Sequence, residues 1–194
     1  MDPWSKFKMS TAAYIHSHAL VDKDVVLGNN TKVWAFAQIM SGASIGENCS
    51  ISGGCFLEGG SKIGSRVTLK NGCLIWDGIT IEDDCFIGPN VVFSNDKEPR
   101  SPRMPLAKER YSNPANWRVE TIIKKGASIG AGTVITPGIT IGAYAMIGAG
   151  SLITKDVPDH ALCYGSPAII KGSVCLCGTK IDSSSCTKCG YKSN

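Results

Sequence analysis

Four cysteines near the end of the chain have a spacing that points to metal chemistry. Cys175, Cys177, Cys186 and Cys189 form a C-x-C and a C-x₂-C pair within VCLCGTKIDSSSCTKCG, and a glycine follows each pair. Four thiolates in a tetrahedral array suit Zn²⁺, and the glycines permit the tight turn that aims two sulfurs at one ion. With all four positions taken by protein, such an ion staples structure and activates no water. A reduced, metal-free tail, or a disulfide formed on oxidation, is the alternative.

A second candidate is Asn95, in VVFSNDKEPRSPR, at the start of a 27-residue segment from Ser94 to Glu120 that carries Pro99, Pro102, Pro105 and Pro114. A long excursion of this kind in a compact chain is commonly functional, yet Asn and Asp also favour turn starts for purely local reasons. The only histidines are His16, His18 and His160, and none lies in the segment. Three histidines converging on zinc, as a γ-class carbonic anhydrase requires, are not offered by residues at opposite ends of the chain. Chemistry in the segment would therefore proceed without an imidazole base.

The elements that must position these residues are set by a period of six. From Ile15 a large apolar residue recurs at every sixth position through Val33, Ile51, Leu69 and Ile87 to Phe93, and the beat resumes from Ile123 to Ile153. Glycine often follows the beat, and two positions before it stands a small or β-branched residue such as Ala43, Ser61, Val67 or Thr133. Six fits neither the α-helical period nor a heptad; it is the signature of a parallel β-helix, here expected to be left-handed. Three hexapeptides close a triangular coil and successive coils stack about 4.8 Å apart. Twenty beats give six to seven coils.

Cys49, Cys55, Cys73 and Cys85 all occupy the small position before a beat, which reads as core packing, with Cys55 and Cys73 stacked one coil apart. The expected organisation is an N-terminal segment at 1–11, coils at 12–93, the loop at 94–120, coils at 121–157, a C-terminal turn at 158–172 and the cysteine tail at 173–194.

A formal charge of +4 over 194 residues, without a block of basic residues, lacks the electrostatic footprint of a nucleic-acid or membrane-surface partner. No apolar run is long enough to span a bilayer and no signal-peptide pattern opens the chain, so the expected location is the cytoplasm. Nine cysteines, an odd number, then suggest thiols and metal ligands in place of disulfides.

The coils, the loop opening FSNDKEPRS, the stretch KKGASIGAGTVITPGITIGAYAMIGAGSLITKDVPDHALCYGSPA and the cysteine tail together resemble the bacterial nucleotide-sugar N-acetyltransferases of the left-handed β-helix superfamily. Among these are the enzymes that acetylate the 3-amino group of UDP-2-acetamido-3-amino-2,3-dideoxyglucuronate and of dTDP-3-amino-3,6-dideoxyhexoses. The resemblance implies a homotrimer with acetyl-CoA in the groove between neighbouring prisms, acting on a nucleotide-linked amino sugar for surface polysaccharide synthesis. It assigns Asn95 to holding the sugar amine, which attacks the thioester without a histidine base. Trp34, Gln38 and Asn71 fall where relatives bind the sugar nucleotide, although VWAFAQI places Ala35 and Gln38 where histidines are usual, which leaves the sugar and nucleotide open.

For CoA, the small residues Gly130, Ala131, Gly148 and Ala149 of the late coils let a pantetheine arm approach the backbone, Lys155, Lys124 and Lys171 are candidates for the phosphates by charge complementarity, and Ser166 and Pro167 match the family's adenine-side turn. An O-acetyltransferase on the same fold and an inert β-helix scaffold are the competing readings. A hydroxyl acceptor would need the base that the loop lacks, and a scaffold would need no loop.

Overall fold

Most hexapeptides fold as a two-residue strand whose second residue points inward; Ile79–Ile81 and Thr121–Ile123 are one residue longer. Val33, Ile51, Leu69, Ile87, Ile129, Ile135 and Ile141 are fully buried, while the residues beside them in the strands are partly or wholly exposed. Period-two alternation in such short strands makes every coil a closed ring of apolar side chains around a narrow core. The computed structural model describes residues 12–181 and 185–191; the segment at 1–11 and parts of the tail lie outside the described residues.

The strands assemble into three parallel sheets, the faces of a triangular left-handed β-helix. The first face runs through Tyr14–Ile15, Lys32–Val33, Ser50–Ile51, Thr68–Leu69, Phe86–Ile87, Ser128–Ile129 and Met146–Ile147 to Ala161–Gly165. The second runs from Leu20–Val21 through Gln38–Ile39 and Val92–Phe93 to Leu152–Ile153, and the third from Val26–Leu27 through Ile79–Ile81 and Thr121–Ile123 to Thr140–Ile141. The strand Ala161–Gly165 adds a further rung to the first face beyond the twenty hexapeptide strands, and Ala168–Val174 folds back antiparallel against it.

The long loop leaves and re-enters the stack in register, since Phe86 pairs with Ser128 and Val92 with Val134. It replaces one corner between the second and third faces, and its helical content is three 3₁₀ turns, Pro105–Ala107, Arg110–Ser112 and Pro114–Asn116. Pro105 and Pro114 sit at the first positions of their turns, where a missing N–H costs nothing.

Cys49, Cys55, Cys73 and Cys85 are buried as expected, their thiols donating to carbonyls such as Gly64 O, Lys70 O, Gly88 O and Lys124 O at 3.1 Å. Burial pushes the Cys85 thiol up to about 12, so it is an inert packing group. The buried hydroxyls of Thr31, Ser61, Thr133 and Ser151 likewise donate to backbone carbonyls, and no buried polar side-chain atom among the described residues lacks a partner. No described helix is long and apolar enough to cross a membrane.

Candidate active site and metal centre

Asn95 stands two residues past the inward-pointing Phe93, where the second face ends and the loop begins. Its Nδ2 donates to the backbone carbonyl of Asp77, one coil below, at 3.0 Å. A carbonyl only accepts, so the amide must turn its NH₂ to Asp77 and carry Oδ1 on the other side. The Asn95 carbonyl in turn accepts from Val119 N at 3.0 Å, which ties the two ends of the loop together.

Charge pairs hold the same junction. Arg118 Nη1 reaches both carboxylate oxygens of Asp77, at 2.9 and 2.8 Å, while Asp96 and Arg118 form an antiparallel bridge. Asp96 accepts a fork from Arg110 at 2.6 and 2.8 Å and the Tyr111 hydroxyl at 2.6 Å, with its side chain only 10% exposed. The Arg110 guanidinium holds the Asp96 carboxyl well below the usual carboxylate range. Sequence reading missed Asp77, Asp96, Arg110 and Arg118; the signal lay in a charge mixture that spacing alone does not pair.

The corner between the first and second faces gathers a different set. Trp34, Asn71, Gly130, Ala131, Gly148 and Ala149 all lie on it, and the Ser166–Pro167 turn, with a cis peptide, continues the column above Ala149. Gly165 N donates to Ser151 Oγ at 3.3 Å, which fixes that turn to the last full coil. Gly130 and Gly148 have a packing reason of their own: a Cβ on Gly130 would meet the backbone of Gly148 and Ala149, and one on Gly148 would meet Tyr164 Cβ at 2.7 Å. Gly132 and Gly150, absent from the sequence-based candidates, are the residues that face open space; together with the exposed Ala131 and Ala149 they make a corner strip free of long side chains.

Lys155 lies on the second corner with Asn95, at the height of Gly148 and Ala149, and Lys171 lies over the Tyr164 ring at 5.7 Å. Lys124 belongs to the third corner, where its ammonium is 4.0 Å from Asp159, and is not brought to the strip. Gln38 is exposed on the second face, and Asn71 donates to Gly53 O at 3.2 Å in an edge ladder.

His160 is accounted for by packing. It stacks between Tyr144 and Tyr191 at 5.3 and 5.7 Å, and its Nδ1 is 3.0 Å from Val174 O, so its ring joins the last coil to the tail.

In the tail the four cysteine sulfurs come within 4.8 Å of one another. Cys175 Sγ is 2.8, 3.3 and 3.8 Å from those of Cys177, Cys186 and Cys189. A ZnS₄ tetrahedron with bonds of about 2.3 Å separates its sulfurs by roughly 3.8 Å, so the donor set fits such an ion with small adjustments. Gly178 and Gly190 take the positive φ of the two knuckles, at 79° and 73°. Hydrogen bonding by Cys175 draws the Cys177 thiol down to about 6, while burial pushes Cys175 up to about 12. Four thiols this close ionise together only around a cation.

A coil scaffold with a side-chain-free corner strip and an asparagine-headed loop is the frame on which comparison with known proteins bears. The family described as bacterial transferase hexapeptide (six repeats) matches residues 24–59, 60–95 and 120–155. The chain belongs to this hexapeptide transferase family.

Within the family it is 50% identical over 186 residues to dTDP-3-amino-3,6-dideoxy-alpha-D-galactopyranose 3-N-acetyltransferase of Aneurinibacillus thermoaerophilus, covering 94% of this chain and 91% of that one. It is 31% identical to a galactoside O-acetyltransferase of Lactococcus lactis over 68% of this chain and 63% of the relative. Among solved structures it resembles a mutant of GDP-perosamine N-acetyl transferase from Caulobacter crescentus in complex with CoA and GDP-perosamine, with a TM-score of 0.53 and 25% identity over 84% of this chain. The chain spans 58% of that neighbour's length.

Proposed function

We propose that the protein is an N-acetyltransferase that moves the acetyl group of acetyl-CoA to the amino group, at C3, of a nucleotide-linked amino sugar. The observation that carries this reading is the 50% identity over 94% of the chain to an enzyme named for that reaction. Two observations favour an amine acceptor: Asn95 has a side-chain oxygen left to accept a hydrogen bond, and the loop that it heads contains no histidine.

Asn95 Oδ1 accepts a hydrogen bond from the neutral amine and so turns the nitrogen lone pair towards the thioester carbonyl. Nitrogen attacks the carbonyl carbon, the tetrahedral intermediate collapses with loss of the C–S bond, and the amine proton passes to the departing sulfur. The products are the amide and CoA thiol. Placement supplies most of the acceleration, since well-oriented reactants reach effective molarities of about 10⁵ M or more. His160 is committed to its aromatic stack and His16 lies four coils below Asn95, about 19 Å at the spacing of sheet strands.

The same reading needs more than one copy. Asn95 and Lys155 lie on one corner, the glycine strip, Trp34 and Asn71 on another, with the second face between them. A homotrimer about an axis parallel to the coils would set one copy's loop corner against its neighbour's strip and keep every coil at its height. Acetyl-CoA would then lie along Ala131, Gly132, Ala149 and Gly150 towards Ser166 and Pro167, with Lys155 near its phosphates. The cysteine tail would hold a structural zinc ion that closes the end of the stack.

The test is incubation with acetyl-CoA and a panel of dTDP- and UDP-linked 3-amino sugars while thiol release is followed. Thiol release dependent on the 3-amino sugar is expected. A folded protein that acetylates none of them, or that acetylates hydroxyl acceptors equally well, would overturn the reading.

A further inference from the structure

The chain leaves the last coil as a hairpin with the Ser166–Pro167 turn at its tip and the four cysteines beyond its open end. Ala161–Gly165 is the inner arm: it pairs with Met146–Ile147 below, buries Ala161 and Cys163, and Gly165 N donates to Ser151 Oγ. Ala168–Val174 is the outer arm, and it is weakly embedded. Ile169 and Ile170 are more than half exposed, Lys171 is exposed, and Val174 alone is buried. A strand with so little burial belongs to the low-stability end of a fold unless its ends are tied.

The far end of this arm is tied by the tail. Val174 N donates to His160 O at 2.8 Å and His160 Nδ1 lies 3.0 Å from Val174 O, so His160 grips both polar groups of the residue that ends the arm. His160 is held to the coils by its own N–H, which donates to Ala143 O at 2.8 Å, and its ring lies between Tyr144 of the coil and Tyr191 of the tail. Cys175 follows directly, Lys180–Ile181 pairs back onto Ser173 and Val174, and Gly178 lies against Met146 on the first face. Tyr191 belongs to the Cys186 and Cys189 half of the knuckle, whose sulfurs meet those of Cys175 and Cys177. An ion held by all four would close the two halves on each other and keep Tyr191 on the His160 ring.

The Ser166–Pro167 tip and the cysteine cluster are therefore opposite ends of one strand. We propose that the metal centre controls the affinity for acetyl-CoA. With the ion bound, the tail clamps Ala168–Val174 and holds the Ser166–Pro167 turn where it receives the adenine end of acetyl-CoA; without it the outer arm loosens and binding weakens. The inference rests on the N-acetyltransferase reading for its ligand and on the four-thiolate reading of the tail for its ion. Asn95 lies three coils below the hairpin, about 14 Å at the spacing of sheet strands, so the amino-sugar end is spared. Coupling between two sites is reciprocal: CoA must tighten the hold of the tail on the ion by the factor by which the ion tightens CoA.

The test is calorimetric titration of CoA, and of adenosine 3′,5′-bisphosphate as its adenine end alone, into zinc-loaded protein, protein stripped by a chelator, and stripped protein reloaded with Zn²⁺. Binding of dTDP and UDP is the control. The expected result is a loss of CoA affinity of about 5- to 150-fold on stripping, the span of coupling between linked sites, regained on reloading. The bisphosphate should lose affinity by the same factor, while dTDP and UDP binding hold. KM for acetyl-CoA should rise in proportion, with kcat and KM for the amino-sugar nucleotide unchanged, and chelator competition should show zinc held more tightly when CoA is present. Tyr191→Ala should keep its zinc and lose part of the CoA affinity, and Tyr191→Phe, which keeps a ring on His160, should restore it.

Equal CoA affinity in loaded and stripped protein, or zinc affinity indifferent to CoA, would overturn the coupling, as would a chain that binds no zinc. A response to CoA that the bisphosphate does not share would overturn the placement at the turn, and wild-type CoA affinity in Tyr191→Ala would overturn the pin. Loss of the β-sheet circular dichroism on stripping would overturn the proposal too, since the whole fold would then be failing. Failure of the function reading is separate and shows itself first: zinc-loaded protein would bind no CoA and acetylate no amino sugar.

Discussion

At the scale of the residue, the proposed reaction turns on where one carboxamide points. Asn95→Ala should lower kcat by about 100-fold, the cost of a misplaced reactant, with little change in KM for acetyl-CoA, as steady-state kinetics would establish. Asp77 acts one step removed: its carbonyl orients the Asn95 amide and its carboxylate anchors Arg118. Asp77→Asn keeps the carbonyl and loses the ion pair, so a decrease of about tenfold in kcat is expected, with KM for acetyl-CoA unchanged. Equal losses in kcat and in thermal stability would instead assign Asp77 to folding alone. Asn95 was legible in the sequence because it heads the break in the repeat. Asp77 was not, since its partner Arg118 is separated from it by the whole loop and only folding brings them together.

At the scale of the element, the second residue of a typical two-residue strand fills the core and the loop contributes its own internal clamp. Ile87→Ala, at a fully buried rung, should cost about 3–4 kcal/mol by chemical denaturation, since neighbouring coils cannot collapse into the space. The Asp96 clamp has a definite pH dependence. Its folded pKa lies below the ordinary carboxylate value of about 3.9, so its stabilisation is complete above that value and is lost as pH falls through the depressed one. The Tm of Asp96→Asn should therefore fall below that of the wild type at neutral pH, and the gap should narrow progressively below about pH 4.

The tail carries a prediction of its own at this scale. Purified protein should contain about one zinc per chain, absent from Cys186→Ser, and chelation should lower Tm while the β-sheet circular dichroism of the coils persists. The cysteine spacing made this donor set readable in advance. What the spacing did not contain is the anchor, the Tyr144, His160 and Tyr191 stack, because His160 and Tyr191 meet across the chain reversal at Ser166–Pro167.

At the scale of the whole molecule, the division of the candidate site between two corners makes a quantitative prediction. Asn95→Ala removes the loop group and Ala131→Trp blocks the strip, so each variant alone should be nearly inactive. Co-expressed in equal amounts, they should recover about one quarter of wild-type sites, those that pair an intact loop with a neighbour's intact strip. A site built within one chain would recover nothing. Thiol-release assays on the mixed and separate preparations decide between the two.

The sequence by itself determined the period, and with it which side chains point inward, where the stack is interrupted and which cysteines converge. Those are local properties: alternation along a strand and tight glycine turns follow from backbone geometry over six residues. Which of three faces a hexapeptide joins after the loop is not local. An insertion whose length is a multiple of six preserves the beat whichever face it rejoins, and only tertiary pairing of Thr121–Ile123 with Ile79–Ile81 fixes the re-entry on the third face. That choice sets the later glycine strip on the first-to-second corner, one face away from the corner Asn95 already holds, because strands hydrogen-bond to the coil beneath them and not to their neighbours in sequence.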